Sequence, residues 1–238
     1  MIRLLQEKMR EGQHGYWYRD HGFSCNWTEA SRMAVWQAFL YKQKGEVITM
    51  GTRGLFGIRK NGHDIAVYKQ YDSYPSGLGK DYLMFVKLNR DSMDEFYEHI
   101  IEVDKDTFPT PEQKEYCIRM GWYDRSVSRR SDNDWYCLLY ELQNMSAWQR
   151  ALDLGEDIYL INEIGFIRDS LFCEYAYIYD LDSGMFEFYK GFQKEPDVTG
   201  RYGTEPDGDY YPCRLVYSVN MAENINITAV IDKFERYL

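Results

Sequence analysis

The feature that most constrains this chain is the stretch Leu55-Phe-Gly-Ile58, Lys60-Asn61-Gly62, Asp64-Ile-Ala-Val-Tyr-Lys-Gln-Tyr71. Two runs of β-type residues flank an Asn-Gly pair, and both members of that pair tolerate the positive φ of a two-residue hairpin turn. A hairpin over 54–71 is therefore expected. Tyr74-Pro75-Ser76-Gly77 ends its second strand, and Leu78, Tyr82, Phe85 and Leu88 then recur at helical spacing. A further helix is read from Ser92, with Phe96, Ile100 and Ile101 on one face. Thr110-Pro111-Glu112 supplies a cap with proline in the first helical position, opening a helix to Met120. The segments 135–142 and 145–154 read as two more helices. Strands return over 158–161, 173–181, 185–189 and 213–219, and Asp182-Ser183-Gly184 makes a tight turn between the second and third. Gly191 to Tyr211 is rich in Gly, Pro, Asp and Glu and reads as an irregular surface loop. Thr228 to Leu238 closes the chain as a helix with Val230, Ile231, Phe234 and Leu238 inward. Strands, then helices, then strands give an α+β class. Its antiparallel strands are the hairpin 54–71 and the C-terminal strands over 158–219, joined by a central helical section.

The first segment differs. Residues 1–49 carry seven basic and five acidic side chains, against twenty-one and thirty-three over 50–238. This shift marks a boundary between a helical N-terminal extension (1–49) and an α+β domain (50–238). The whole chain of 238 residues has a formal net charge of -10. Binding duplex nucleic acid requires clustered Lys and Arg to displace phosphate counterions. The densest basic stretch, Arg125, Arg129 and Arg130, runs straight into Asp132 and Asp134, so direct nucleic-acid binding is not expected. An acidic surface suits a basic protein partner. No stretch approaches the roughly 18 apolar residues of a membrane helix, and Met1 to Glu11 is charged where a secretory leader would be apolar. A cytoplasmic chain with no membrane contact is expected. Cys25, Cys117, Cys137, Cys173 and Cys213 are an odd, scattered set and read as reduced, buried thiols.

The sharpest motif is Gly51-Thr52-Arg53-Gly54-Leu-Phe-Gly57 followed by Tyr71-Asp72-Ser73-Tyr74-Pro75-Ser76-Gly77-Leu-Gly79. From Met50 to Leu88 it resembles a family of uncharacterised phage and bacterial proteins that begin Met-x-Thr-Arg and continue into a hairpin ending in a Tyr-Pro turn. In such proteins the motif is N-terminal, so the resemblance implies that residues 1–49 are an added module recruiting a partner. No activity is established for that family; taken with the acidic charge, the loop aromatics and the lack of a catalytic set, the resemblance leads to the expectation of a phage or mobile-element binding protein that acts on a host protein or a small signalling molecule, as an inhibitor of host defence.

Read physically, Gly77 and Gly79 at the start of a helix offer backbone N–H groups to an anion, with Arg53, Asp72, Tyr74, Ser76 and Lys80 around them. That arrangement would make a phosphate- or nucleotide-binding sensor. The plainer reading is a tight strand-to-helix turn shaped by Pro75 and the glycines. A catalytic alternative is also written there. Gly-Thr before a strand is similar to the start of N-terminal-nucleophile hydrolases, in which cleavage before Thr52 would free an amine to activate its hydroxyl. Secure matches for the supporting lysine and acid are missing, with Lys69, Asp64 and Asp72 the options, so binding is favoured over catalysis. No metal or cofactor is expected: His14, His21 and Cys25 lack a fourth ligand, and Asp180 and Asp182 are explained by a hairpin turn. The loop aromatics Tyr16, Trp17, Tyr18, Trp27, Tyr210 and Tyr211 are the candidate partner-binding residues, because Trp and Tyr dominate interface hot spots and loops carry binding residues. Homo-oligomerisation is the default for soluble proteins.

Overall fold

The computed structural model describes residues 51–124 and 133–237. The extension over 1–49, with Tyr16, Trp17, Tyr18, Trp27 and the His14, His21, Cys25 group, lies outside the described residues, as does Arg125 to Arg130.

The fold is α+β. Strands β1 (Gly54–Lys60) and β2 (His63–Lys69) form the expected hairpin, with Asn61 and Gly62 at φ 51° and 77°. Later strands are β3 (Ile100–Glu102), β4 (Ile158–Leu160), β5 (Tyr175–Asp180), β6 (Met185–Lys190) and β7 (Arg214–Asn220). The main sheet has the order β2-β1-β5-β6-β7. Its β5-β6-β7 side is antiparallel as expected, but β1 and β5 run parallel in its centre. β2 brings the chain back to the end of the sheet at which β1 begins, and the helical section that follows enters β5 from that same end, so β5 runs parallel to β1.

The helices are α1 (Lys80–Asn89), α2 (Met93–Glu98), α3 (Pro111–Met120), α4 (Trp135–Leu138), α5 (Met145–Leu154) and α6 (Ile227–Glu235). At α3 the sequence signals act together: Thr110 and Gln113 form a reciprocal capping box, Pro111 opens the helix and left-handed Gly121 ends it. Two expectations are corrected. The helix read from Ser92 ends at Glu98, and Ile100 and Ile101 pair in parallel with β4 instead. Ile158 N–H donates to the His99 carbonyl and Val103 N–H to that of Leu160, so tertiary pairing takes up two β-branched residues. The helix read over 135–142 breaks at Leu139 into α4 and a 3₁₀ turn, Tyr140–Gln143, where Glu141 N–H turns away to the Trp122 carbonyl.

Alternation along the strands gives the sheet two different faces. Phe56, Ile58, Ile65, Val67, Tyr177, Tyr179, Phe186 and Phe188 point to one side and are buried against α1, α5 and α6. Trp148 of α5 is fully buried there, with its ring centroid 5.0 Å from Phe56 and 5.6 Å from Phe96. Its indole N–H is satisfied by the Leu142 carbonyl at 2.9 Å. On the other side, Leu55, Ala66, Ile178 and Tyr189 are covered by the 3₁₀ turn Ile164–Arg168, Cys173, Tyr202 and Cys213.

Candidate functional site

The second face becomes charged toward one end. Arg59 sits opposite Asp64 on β2 and Asp180 on β5, while Glu187 lies opposite Ile178 on β6. The side chains of Asp64, Asp180 and Glu187 keep 11%, 9% and 7% exposure. Carboxylates so enclosed need cations, because removing ions from water costs more than their burial returns. Arg59 supplies one, its Nη1 donating to Asp64 Oδ2 at 2.6 Å. The other comes from the irregular 191–211 connection. Arg201 folds back so that both terminal nitrogens donate to Glu187 at 2.7 Å. The same guanidinium lies 3.5 Å from Asp180 Oδ2 and 3.7 Å from Asp64 Oδ1. A two-pronged pair of this kind fixes orientation as well as charge. Tyr189 hydroxyl completes the group by donating to Glu187 at 2.9 Å.

Burial pushes the Asp64 carboxyl above its ordinary value, even with Arg59 and Arg201 pulling it down. For Arg201, burial acts against the charge, but the hydrogen bonds to Glu187 and the other acceptors outweigh it and hold the guanidinium protonated. Asp64 Oδ1 and the Tyr202 hydroxyl are buried without a hydrogen-bond partner. Burial, and then the charge of Asp64, keep the Tyr202 hydroxyl protonated.

The clamp positions a surface. Just past β6, Phe192 adopts φ 59° with its side chain exposed (44%), a conformation that non-glycine residues rarely take. Its N–H is held by the Ser170 carbonyl at 2.7 Å, and Gln193 N–H by Ser170 Oγ at 3.1 Å. Tyr211 N–H returns to the Gln193 carbonyl, closing the base of the loop. The Phe192 and Tyr210 rings meet edge-on with centroids 6.5 Å apart. Lys194 Nζ lies 3.4 Å from the Tyr210 centroid, and Lys190 Nζ 5.4 Å from that of Phe192. Val198, at 83% exposure, stands out from the same loop.

The structure places the sequence-derived residues as follows. Tyr210 and Tyr211 lie on this loop, both half-buried. Asp72, Tyr74, Ser76, Gly77, Gly79 and Lys80 form the turn into α1. Its backbone is internally bonded: the N–H groups of Gly77 and Gly79 donate to the Tyr74 carbonyl, and that of Leu78 to Asp72. Asp72 itself takes φ 58°. Arg53 leaves that turn and stacks its guanidinium over the Phe172 ring at 4.6 Å. Thr52 is half-buried, and its carbonyl accepts from Ser73 N–H. Asp182 accepts the N–H groups of Asn61 and Gly62, so one hairpin caps the tip of the other. Sequence reasoning missed Asp64, Glu187 and Arg201 as a group, and it missed Phe192. The available signal was a charged residue at three inward positions of otherwise apolar strand faces.

Among the described residues, no group of three His, Cys, Asp or Glu is arranged to hold a metal ion, and no helix is long and apolar enough to cross a membrane. A cavity of about 40 Å³ between Val67, Leu139, Leu142, Leu160 and Ile161 has room for a water or two rather than an organic ligand. Comparison with protein-family models, curated proteins and solved structures finds no match.

Proposed function

We propose that this chain is a non-catalytic binding protein that docks a basic protein partner on the 191–211 loop, with Phe192 and Tyr210 as anchors and Tyr211 beside them. The observation that carries this reading is Phe192. An exposed aromatic side chain on a left-handed, non-glycine backbone costs folding free energy, and such strain collects where a side chain must be presented. A loop of this length without regular structure is commonly functional. Here it is also held in place beforehand by Arg201 and by lysines over its rings, which lowers the ordering cost of binding. Charge indicates the partner: Glu195, Asp197, Glu205, Asp207 and Asp209 rim the loop, within a chain of net charge -10. The resemblance to phage and bacterial proteins makes a host protein the natural target.

The test compares the full chain with a Phe192→Gly, Tyr210→Ala double variant as baits, with quantitative mass spectrometry of what each retains. The expected result is a basic protein held at least about tenfold more by the wild type, as loss of hot-spot anchors dictates. Glycine relieves the φ strain, so the variant should melt no lower than the wild type. Equal retention of the same proteins by both baits would refute the reading.

A further inference from the structure

We propose that Cys173 and Cys213 form an oxidisable pair, a modification site at which a disulfide closes across the end of β6. Cys173 stands two residues before β5 and Cys213 one residue before β7, the two strands on either side of β6. β6 ends between them: Gly191 follows it, and a Cβ there would lie 2.1 Å from the Cys173 carbonyl oxygen and 2.7 Å from that of Ser170. The missing side chain lets the flanking segments close over the strand end. Cys213 Sγ donates to the Cys173 carbonyl at 3.2 Å, and Cys173 Sγ turns to the Tyr175 carbonyl at 3.6 Å. Both thiols are buried, at 5% and 0% exposure. Burial first, and the neighbouring Cys213 side chain second, hold the Cys173 thiol in its protonated form. The Cys213 sulfur thus lies against the backbone of Cys173 at the end of β6. A buried cysteine packs as a small hydrophobe, and its reactivity is what distinguishes it from alanine or valine there.

The oxidant is hydrogen peroxide or another two-electron oxidant of that class. The sulfur of Cys213, the less buried residue of the two, attacks a peroxide oxygen as its thiol proton leaves; the O–O bond breaks, a water leaves and a sulfenic acid forms. Cys173 sulfur then displaces the hydroxyl oxygen from Cys213 sulfur, forming the S–S bond and releasing a second water. Two thiols and one peroxide give one disulfide and two waters. The link would enclose β5, β6 and the whole 191–211 loop, removing freedom from the unfolded chain and fastening the base of that loop. The inference holds whether or not the loop carries a partner.

The experiment treats the folded full chain with hydrogen peroxide, quenches remaining thiols with an alkylating agent under denaturing conditions, and maps the peptides. The expected product is a chain lighter by two hydrogen atoms, with the peptides of Cys173 and Cys213 joined. Its melting temperature should be raised and should return to the untreated value with dithiothreitol. Cys213→Ala should give neither the link nor the reversible rise. Links through Cys25, Cys117 or Cys137, sulfinic acid on unlinked cysteines, or unreacted Cys173 and Cys213 would each overturn the proposal. Because the deciding observation is made on the wild-type chain, a misfolded variant does not obscure it.

Discussion

The two faces of the main sheet solve the same burial problem with opposite chemistry. On the helical face, Phe56, Tyr82, Trp148, Phe186, Phe188 and Phe234 interlock as a ring-rich core, and their few polar atoms are spent on backbone carbonyls. On the other face, Asp64, Asp180 and Glu187 are buried with Arg59 and Arg201. The first arrangement maximises apolar contact. The second gains little stability, since an apolar group of similar volume often serves as well as a buried ion pair. What the charged face adds is position. Arg201 comes from a segment with no helix or strand of its own, and its bonds to Glu187 decide where that segment lies.

That contrast can be broken at several points. Trp148→Ala removes one of the largest fully buried side chains on the helical face and should cost about 4 kcal/mol in urea-induced unfolding, the range for truncating a buried tryptophan. A loss below about 1 kcal/mol, the level of an ordinary surface change, would mean that this face is not the main source of stability. Arg201→Met keeps the aliphatic stem and leaves Glu187 and Asp180 without their cation. With the arginine side chain at 25% exposure, the expected loss is about 3 kcal/mol, below the full penalty for an unpaired interior charge. A Glu187→Gln change added to it should restore part of that loss, because the uncompensated charge goes with it.

The smallest effect is one of pH. Burial raises the Asp64 carboxyl above its ordinary 3.8, so the folded state binds this proton more tightly than the unfolded state does. The stabilising contribution is complete below that ordinary value and is lost as pH rises through the higher folded value. Asp64→Asn cannot ionise. Its stability relative to the wild type should therefore improve from pH 4 toward pH 7 in parallel urea titrations. A difference that stays constant, or that falls with pH, would show that Arg59 and Arg201 fully offset the burial.

The sequence foretold most of the elements and little of the site, for reasons visible in particular residues. Asn61-Gly62 and the Thr110-Pro111 cap are local devices, and both appear as expected. Ile100 and Ile101 went from helix to strand because a partner 58 residues later, at Ile158, was there to pair with them. The parallel join of β1 to β5 is likewise a matter of which distant strand arrives, which hydropathy does not encode. The glycines near Tyr74 had a local signal, and Gly79 has a tertiary cause as well: a Cβ there would lie 2.8 Å from the Tyr177 ring. Arg201 in the sequence is one more charge in a polar loop. Only the sheet register, which sets Asp64, Asp180 and Glu187 on one face, turns it into an anchor.

The charged face fixes the loop while the aromatic face fixes the fold. Amide hydrogen exchange of the wild type and Arg201→Met, followed by mass spectrometry at equal fractions folded, tests it most directly. The account predicts that amides at the loop base, Gln193 and Tyr211 among them, exchange at least about tenfold faster in the variant, a loss of local protection, while α1 and α5 keep their wild-type protection. Unchanged exchange across 191–211, or an equal acceleration in α1 and α5, would contradict it.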